Sequence, residues 1–457
     1  MRFELVAKSR HFSKQNGGSA SRSLNMSGES DREFKFPENF LWGAATSSHQ
    51  VEGNNTNNDW WHWEEEGRVQ EKSGAACNQY LLYKEDFSLA KELGHNAHRF
   101  SLEWSRIEPE EGRFDNAVIR HYTGVIEELR RLGIEPVVTL HHFTLPLWLY
   151  KRGGWLARHS YDIYARFVEK IVNELGHNVR YWITLNEPVG NIYNAYIEGS
   201  WPPGYRSFKD AMKVFGVLLK AHAFSYGNIH RIYKEKGWHR PEVSIAKIYL
   251  QFTPCRNSSF FDKLSTGLRH YYFNTLFVDA LMKGYCIAPG IGIVRLPAKN
   301  TLDFLGINYY TRDFVHYAGL TPRRIFGDIC SLKHHRDIAK RNLLSWEIYP
   351  QGIYELLIEY SRYRLPILIT ENGICTNDDR ERIDFISRHL KEAARAIGEG
   401  VNVMGYIYWS LIDNFEWAHG YGPRFGLVEV DYKTQRRTAR PSAHFFADII
   451  KEGLPIA

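Results

Sequence analysis

Eight short apolar runs, each followed by a longer amphipathic segment, restrict the fold of this chain more than any other feature. The runs are Phe40 to Thr46, Ala97 to Leu102, Pro136 to His141, Tyr181 to Leu185, Val243 to Tyr249, Phe304 to Asn308, Ile367 to Thr370 and Val403 to Trp409. Their length and the turn-forming residues around them are strand signals. Helical periodicity falls between them, as in Tyr122 to Leu132, Tyr161 to Leu175, Ala211 to Lys234, Gly352 to Tyr363 and Ile383 to Ile397. Strand and helix alternating eight times predict the α/β class and a single (β/α)8 TIM barrel, whose functional groups gather at the C-terminal ends of the strands. No linker interrupts the alternation, so residues 33–457 are expected to form one domain. Residues 1–32, rich in Ser and Gly with little to bury, read as a disordered N-terminal tail.

Composition narrows the function classes. Hydrophobic residues at 44% and charged residues at 24% are ordinary for a globular protein, and no apolar stretch is long enough to cross a bilayer. The net charge of +6 is no nucleic-acid signature, because six Lys/Arg against three Asp/Glu in the first 32 residues supply half of it. Cys77, Cys255, Cys286, Cys330 and Cys375 are odd in number, scattered and never spaced as Cys-x-x-Cys, so neither a disulfide framework nor a zinc site is expected. The start lacks the apolar core of a secretion signal, which makes cytoplasmic residence the default. Aromatic residues reach 14%, and many flank Gly, Pro or polar groups. Most must fill core space, but flat apolar faces among amides and carboxylates also suit a sugar-binding cleft.

In a barrel, the residues just past each strand share one rim. Here they are Gln50, Arg99 to Glu103, His142, Asn186 with Glu187, Tyr249, Asn308 with Tyr310, Glu371 and Trp409. Glu187 lies in Thr184-Leu185-Asn186-Glu187-Pro188 and Glu371 in Thr370-Glu371-Asn372-Gly373, each ending an apolar run beside an Asn and a turn former. A lone acidic residue at a strand end commonly caps the next helix. Two of them on one polar, aromatic rim point to a catalytic pair.

Glycosidic cleavage needs such a pair: one carboxyl protonates the departing oxygen, and the other attacks the anomeric carbon or activates water there. Arg99 is the expected cation beside Glu371, and with a Tyr310 hydroxyl bond it would favour the ionised nucleophile. The charge on Glu371 would raise the pKa of Glu187, making it the acid first and the base afterwards. His141 and His142 are not expected to bind metal, since neighbours on a strand face opposite sides and further ligands at suitable spacing are missing.

Seven ordered segments carry a family resemblance: Phe40-Leu41-Trp42-Gly43-Ala44-Ala45-Thr46 running to Gln50-Val51-Glu52-Gly53; Phe100-Ser101-Leu102-Glu103-Trp104-Ser105-Arg106; Thr139-Leu140-His141-His142-Phe143; Thr184 to Pro188; Gly306-Ile307-Asn308-Tyr309-Tyr310; Thr370 to Gly373; and Tyr408-Trp409-Ser410-Leu411-Ile412-Asp413-Asn414-Phe415-Glu416-Trp417. From Phe36 to about Ile450 the chain resembles glycoside hydrolase family 1, the β-glucosidase family. The resemblance implies a retaining β-glycosidase with Glu187 as acid/base and Glu371 as nucleophile, supported by Arg99, Asn308 and Tyr310. It implies a sugar held by Gln50, His142, Asn186, Glu416 and Trp417 over Trp409, with Trp346 on the aglycone side and Phe425 among the substrate-binding positions. It implies no metal or organic cofactor and a small-molecule β-glycoside or oligosaccharide as partner; charge distribution and apolar run length already speak against nucleic acid and membrane, and oligomeric state is left open.

Glu416 separates branches of that family, since the phospho-sugar branch usually lacks this Glu and carries a downstream Ser, Lys and Tyr cluster that is missing here. Retention of Glu187 argues against the thioglucosidase branch. A β-glucosidase tolerating β-galactosides or β-fucosides is the leading expectation. The alternatives are a phospho-β-glycosidase, a transglycosidase, or a non-catalytic sugar-binding or receptor-like relative. Two departures stand out. Phe143 replaces a common Trp, and the connection from Gly284 to Asp303 is short, which predicts a truncated helix before the sixth strand and either exposed apolar surface or a second pocket.

Overall fold

The computed structural model describes residues 33–321, 324–337 and 340–455; the tail read in residues 1–32 lies outside them. Eight parallel strands close a barrel in chain order: β1 (Leu41–Ala45), β2 (Ala97–Ser101), β3 (Glu135–Thr139), β4 (Tyr181–Asn186), β5 (Glu242–Pro254), β6 (Leu305–His316), β7 (Ile367–Asn372) and β8 (Val403–Trp409). Pairing of β8 with β1 and of β5 with β6 completes the ring. The principal outer helices are α1 (Gln79–Glu92), α2 (Asn116–Arg131), α3 (Ser160–Leu175), α4 (Phe208–Lys236), α5 (Phe260–His270), α6 (Leu276–Lys283), α7 (Gln351–Ser361), α8 (Asp379–Gly398) and α9 (Pro441–Glu452). Glu33–Phe34 pairs antiparallel with Leu454–Pro455, tying the two ends of the described chain together.

Strand alternation separates two cores. Inside the barrel, Ala45, Ala97, Val137, Ile183, Ala246, Leu368 and Ile407 form a packed plug of small and branched side chains. Between strands and helices lies a larger apolar layer; Trp182 packs there and donates its indole N–H to the Tyr233 hydroxyl on α4 at 2.7 Å. Among the described residues no helix is long and apolar enough to cross a membrane.

Three sequence expectations need correction. First, β5 and β6 run well past the predicted Tyr249 and Asn308. Beyond a register shift between Tyr249 and Gln251 they keep pairing with each other, out to Pro254 and Val315, so neither strand loses its partner at the rim. Second, the helix before the sixth strand is not truncated. The segment α5, the π-turn Tyr271–Thr275 and α6 run head to tail. The short connection folds as a hairpin, Tyr285–Ala288 with Gly292–Arg295, and its Tyr285, Ile287 and Ile293 are exposed, as expected of apolar surface there. Third, the cysteines are not all isolated: the sulfurs of Cys255 and Cys330 and a ring nitrogen of His334 lie within 4.8 Å of one another.

Candidate active site

Both glutamates reach the barrel interior through breaks in strand alternation. Along β4, Ile183 faces inward and Thr184 outward, where it meets His222 of α4 at 2.6 Å. A register shift against β5 between Ile183 and Asn186 then puts Leu185 into the outer layer and turns Asn186 into the cleft. Along β7, the neighbours Thr370 and Glu371 both reach interior partners, because the register slips against β6 and β8 beyond Ile369. Such bulges re-aim side chains beside active sites. Glu187 itself sits at φ +43°, ψ +54°, a left-handed conformation that costs any non-glycine residue about 1–3 kcal/mol. Pro188, with its fixed φ, opens the helix Pro188–Ile192 directly after it.

One hydrogen-bond chain joins the two carboxyls. Asn308 Nδ2 donates to Glu187 Oε1 at 2.8 Å and to Asn186 Oδ1 at 3.2 Å. Arg99 donates to the same Asn186 oxygen through Nη2 at 2.7 Å and to Glu371 Oε1 through Nη1 at 2.5 Å. The Tyr310 hydroxyl donates to the other Glu371 oxygen at 2.6 Å. Arg99 is held in turn by Thr139, and Asn308 Oδ1 accepts from Thr370. Glu371 is therefore buried beside a fully buried guanidinium and bonded on both oxygens.

Among the described residues no cation is bonded to Glu187, and Asn308 supplies a neutral amide. Its pKa is raised to about 8, chiefly by burial and then by the charge of Glu371. The cause foreseen from sequence is present but ranks second. Glu416 is also raised to about 8, by burial and by the same two carboxylates. Together these groups keep protons in the cleft at neutral pH while Glu371 has a charge partner.

Of the residues named from sequence, Gln50, His142, Asn186, Trp346, Trp409, Glu416, Trp417 and Phe425 line one cavity of about 620 Å³ with the two glutamates and Tyr310, while Arg99 and Asn308 lie behind them. The volume fits a site for a small molecule. The His142 ring lies nearly parallel to Trp409 and Trp417, at interplanar angles of 19° and 11°. Asn186 Nδ2 donates to His142 Nε2 at 3.2 Å, which leaves the ring proton on Nδ1, a buried atom with no partner. Burial and Arg99 keep this imidazole neutral. Gln50 Nε2 bonds Asn414, the Phe415 carbonyl and, at 3.4 Å, Glu416. His141 faces away from the cleft and packs on Trp155 and Tyr164, as alternation requires.

Two members of the proposed rim lie elsewhere. Tyr249 points outward and donates to Glu359 at 2.8 Å among α5 and α7 residues. Glu103 caps the short helix Trp104–Ile107 and accepts from Ser105 and Ser48, the structural role of a strand-end acid. The sequence reading also missed groups. Arg312 forms a two-armed pair with buried Glu347 that fixes the backbone next to Trp346. Lys247 is fully buried, with its pKa lowered to about 7 by burial against an opposing pull from Glu187. A lysine inside an apolar strand, Ile245-Ala246-Lys247-Ile248, was the legible signal for it. Trp60, Trp63, Phe143 and Trp417 form a separate aromatic cluster against which Trp201 packs.

Comparison with known proteins agrees with this geometry. The glycosyl hydrolase family 1 model matches residues 32–289 and 293–454, broken only at the turn of the 285–295 hairpin. Beta-glucosidase A of Thermotoga maritima is 34% identical over 463 aligned positions, covering 91% of this chain and 98% of that protein. A solved β-glycosidase from Pyrococcus horikoshii superposes with a TM-score of 0.86 at 42% identity, covering 92% of this chain and 96% of that one. The family 1 β-glucosidase of Thermotoga maritima in complex with isofagomine lactam superposes with a TM-score of 0.82 at 32% identity, over 93% and 100% of the two chains. With the barrel, the cleft and these matches in agreement, the chain is a glycoside hydrolase and belongs to glycosyl hydrolase family 1.

Proposed function

We propose that this protein is a retaining β-glycosidase that removes terminal non-reducing β-D-glucosyl residues, with tolerance for β-galactosyl or β-fucosyl epimers, from small glycosides or oligosaccharides. The contrast between the two carboxyls carries the reading: Glu371 is bonded by Arg99 and Tyr310, while Glu187 is shifted to about 8 without a cation bonded to it. Glu371 attacks the anomeric carbon as the Glu187 proton passes to the glycosidic oxygen, and the aglycone leaves. Forming the glycosyl ester removes the Glu371 charge, and with it one of the two causes that raise the Glu187 pKa. Glu187 then accepts a proton from the attacking water, and β-sugar is released with Glu371 ionised again.

Binding follows from the remaining lining. The sugar stacks on Trp409, and its outer hydroxyls meet Gln50, Glu416 and Trp417. The unpartnered Nδ1–H of His142 donates to a further hydroxyl, while Asn186 serves the hydroxyl nearest the reacting carbon. Trp346, close to Tyr310 and Phe425, forms the aglycone wall. Residues 33–457 act as one catalytic domain, and the free cysteines fit a reducing, cytoplasmic setting.

Nitrophenol release from the β-glucoside, β-galactoside and 6-phospho-β-glucoside tests substrate class, and product anomer by proton NMR tests retention. Glucoside turnover with β-glucose as first product is expected. Preference for the phosphorylated sugar would overturn the role given to Glu416. Binding of glucose without turnover of any of the three would move the protein to the non-catalytic reading.

A further inference from the structure

A second cluster of chemically active side chains lies apart from the carboxyl pair, where β5 and β6 overrun the barrel. Cys255 follows the last residue of β5, and its N–H donates to the Val315 carbonyl on β6 at 2.7 Å. Cys330 follows the two-residue strand Asp328–Ile329, which pairs antiparallel with Val315 and His316, and its N–H donates to the Phe314 carbonyl. From Cys330 the chain turns at once, with the His334 N–H bonded back to the Cys330 carbonyl, and so presents His334 to both sulfurs.

Three side chains lie close enough together for a ligand shell, with a fourth beside Cys255. Cys255 Sγ is 3.4 Å from His334 Nδ1 and 3.3 Å from His335 Nε2. The two sulfurs and His334 Nδ1 all lie within 4.8 Å of one another. A tetrahedral zinc ion, with Zn–S near 2.3 Å and Zn–N near 2.0–2.1 Å, places sulfur and nitrogen ligands about 3.6 Å apart and two sulfurs about 3.8 Å apart. The His335 ring is held by stacking on Phe314, with centroids 3.8 Å apart and planes 8° from parallel. Two thiols and an imidazole are a soft donor set that selects zinc-class ions over calcium or magnesium. The pattern was invisible in sequence because one cysteine follows β5 and the other ligands come after β6.

We propose that Cys255, Cys330 and His334 bind one zinc-class divalent cation, with His335 beside Cys255 and the fourth ligand position open, and that the ion staples the turn after Cys330 to the extended ends of β5 and β6. The site is structural. Both thiols lose their protons to bind, so their two negative charges balance the ion and protons are released. Its reach extends to the cleft: Arg341 donates to the His335 carbonyl at 3.2 Å and to the Ser345 carbonyl at 2.9 Å, and Ser345 precedes Trp346. Ser331 and Leu332, within the stapled segment, themselves line the active-site cavity. The ion therefore sets the position of the aglycone wall without touching the reacting atoms.

The test uses the full chain, reduced and stripped with EDTA, then titrated with cobalt(II) and back-titrated with zinc(II). The expected result is one equivalent of cobalt with thiolate charge-transfer absorption and tetrahedral d–d bands, both erased by zinc. His334→Ala, a surface change that leaves the fold intact, is expected to weaken cobalt binding at least about tenfold. Cys255→Ser/Cys330→Ser should abolish the charge-transfer band while circular dichroism and nitrophenyl glucoside turnover persist. Stripping should raise KM for a long aglycone and leave kcat on the nitrophenyl glucoside unchanged. The proposal is overturned if the reduced chain shows no saturable cobalt binding, if the band survives in the double variant, or if the protein purified without reductant lacks two hydrogens by mass and two titratable thiols, the mark of a Cys255–Cys330 disulfide.

Discussion

Glu371 and Glu187 are the same residue type on the same rim, yet the two ends of their connecting hydrogen-bond chain are built in opposite ways. At Glu371, a guanidinium and a phenol hold both oxygens. At Glu187, one amide bonds one oxygen, the backbone is left-handed, and burial outweighs the opposing pull of Asn308, Arg99 and Lys247. The difference teaches that chemical role here is assigned by partners: one carboxyl is paired with a fixed cation, and the other, buried beside a neutral amide, keeps its proton.

The largest test of that contrast removes each carboxyl in turn. Glu371→Ala should lower kcat on every substrate on the order of 10⁵-fold, because both steps need the nucleophile. Glu187→Ala should cost roughly 10²–10⁴-fold on a nitrophenyl glucoside, and much less on a dinitrophenyl glucoside, whose leaving group needs no proton. Azide should rescue the two variants with opposite product anomers, β from Glu187→Ala and α from Glu371→Ala. Equal insensitivity of both variants to leaving group would break the assignment.

The supports come next. Tyr310→Phe removes one of the two bonds that favour the Glu371 carboxylate and should lower kcat/KM by about 10–100-fold, the worth of a hydrogen bond to a charged group. In wild type the alkaline limb of kcat/KM should fall near pH 8, where free-enzyme Glu187 loses its proton. An alkaline limb near the ordinary carboxylate range would remove Glu187 from the acid role.

Much of this was legible before any coordinates. Strand order and the rim follow from periodicity and punctuation, because apolar spacing and turn chemistry are local properties, whereas Trp346, Glu416, Trp417 and Phe425 came from the family resemblance alone. What escaped was set by distant partners. Strict alternation from Leu368 would turn Glu371 outward, and only slippage against β6 and β8 brings it in. The start of α2 lies upstream of the predicted Tyr122 because Asp115 caps the Ala117 and Val118 amides. The overrun of β5 and β6 comes from their mutual pairing, which neither sequence reveals alone.

The smallest expected effect is on stability, and its sign differs at the two carboxyls. Glu371→Gln leaves Arg99 buried without its counter-charge and should lower Tm. Glu187→Gln should raise it by about 2 °C or more at pH 8. The pH dependence has a definite sign: the folded pKa of Glu187 lies above the ordinary carboxylate value, so the folded protein holds the extra proton and loses stability as pH rises from about 4.5 to 8. The advantage of Glu187→Gln should therefore shrink as pH falls through that window and vanish near its lower end. Thermal melts of both variants across that range would settle it, and a Glu187→Gln protein less stable at pH 8 than wild type would sink the reading.

The left-handed backbone at Glu187 also bears on how such a protein evolves. Glycine occupies that conformation without steric cost, so Glu187→Gly would relieve backbone strain and remove an acid whose burial outweighs its partners, while ending turnover. Loss of catalysis at this position is downhill in folding free energy, and only selection for turnover keeps the glutamate in place. A duplicated copy released from that selection would drift toward a sturdier barrel that still binds sugar in an intact cleft, so inert sugar receptors are a natural descendant of this architecture.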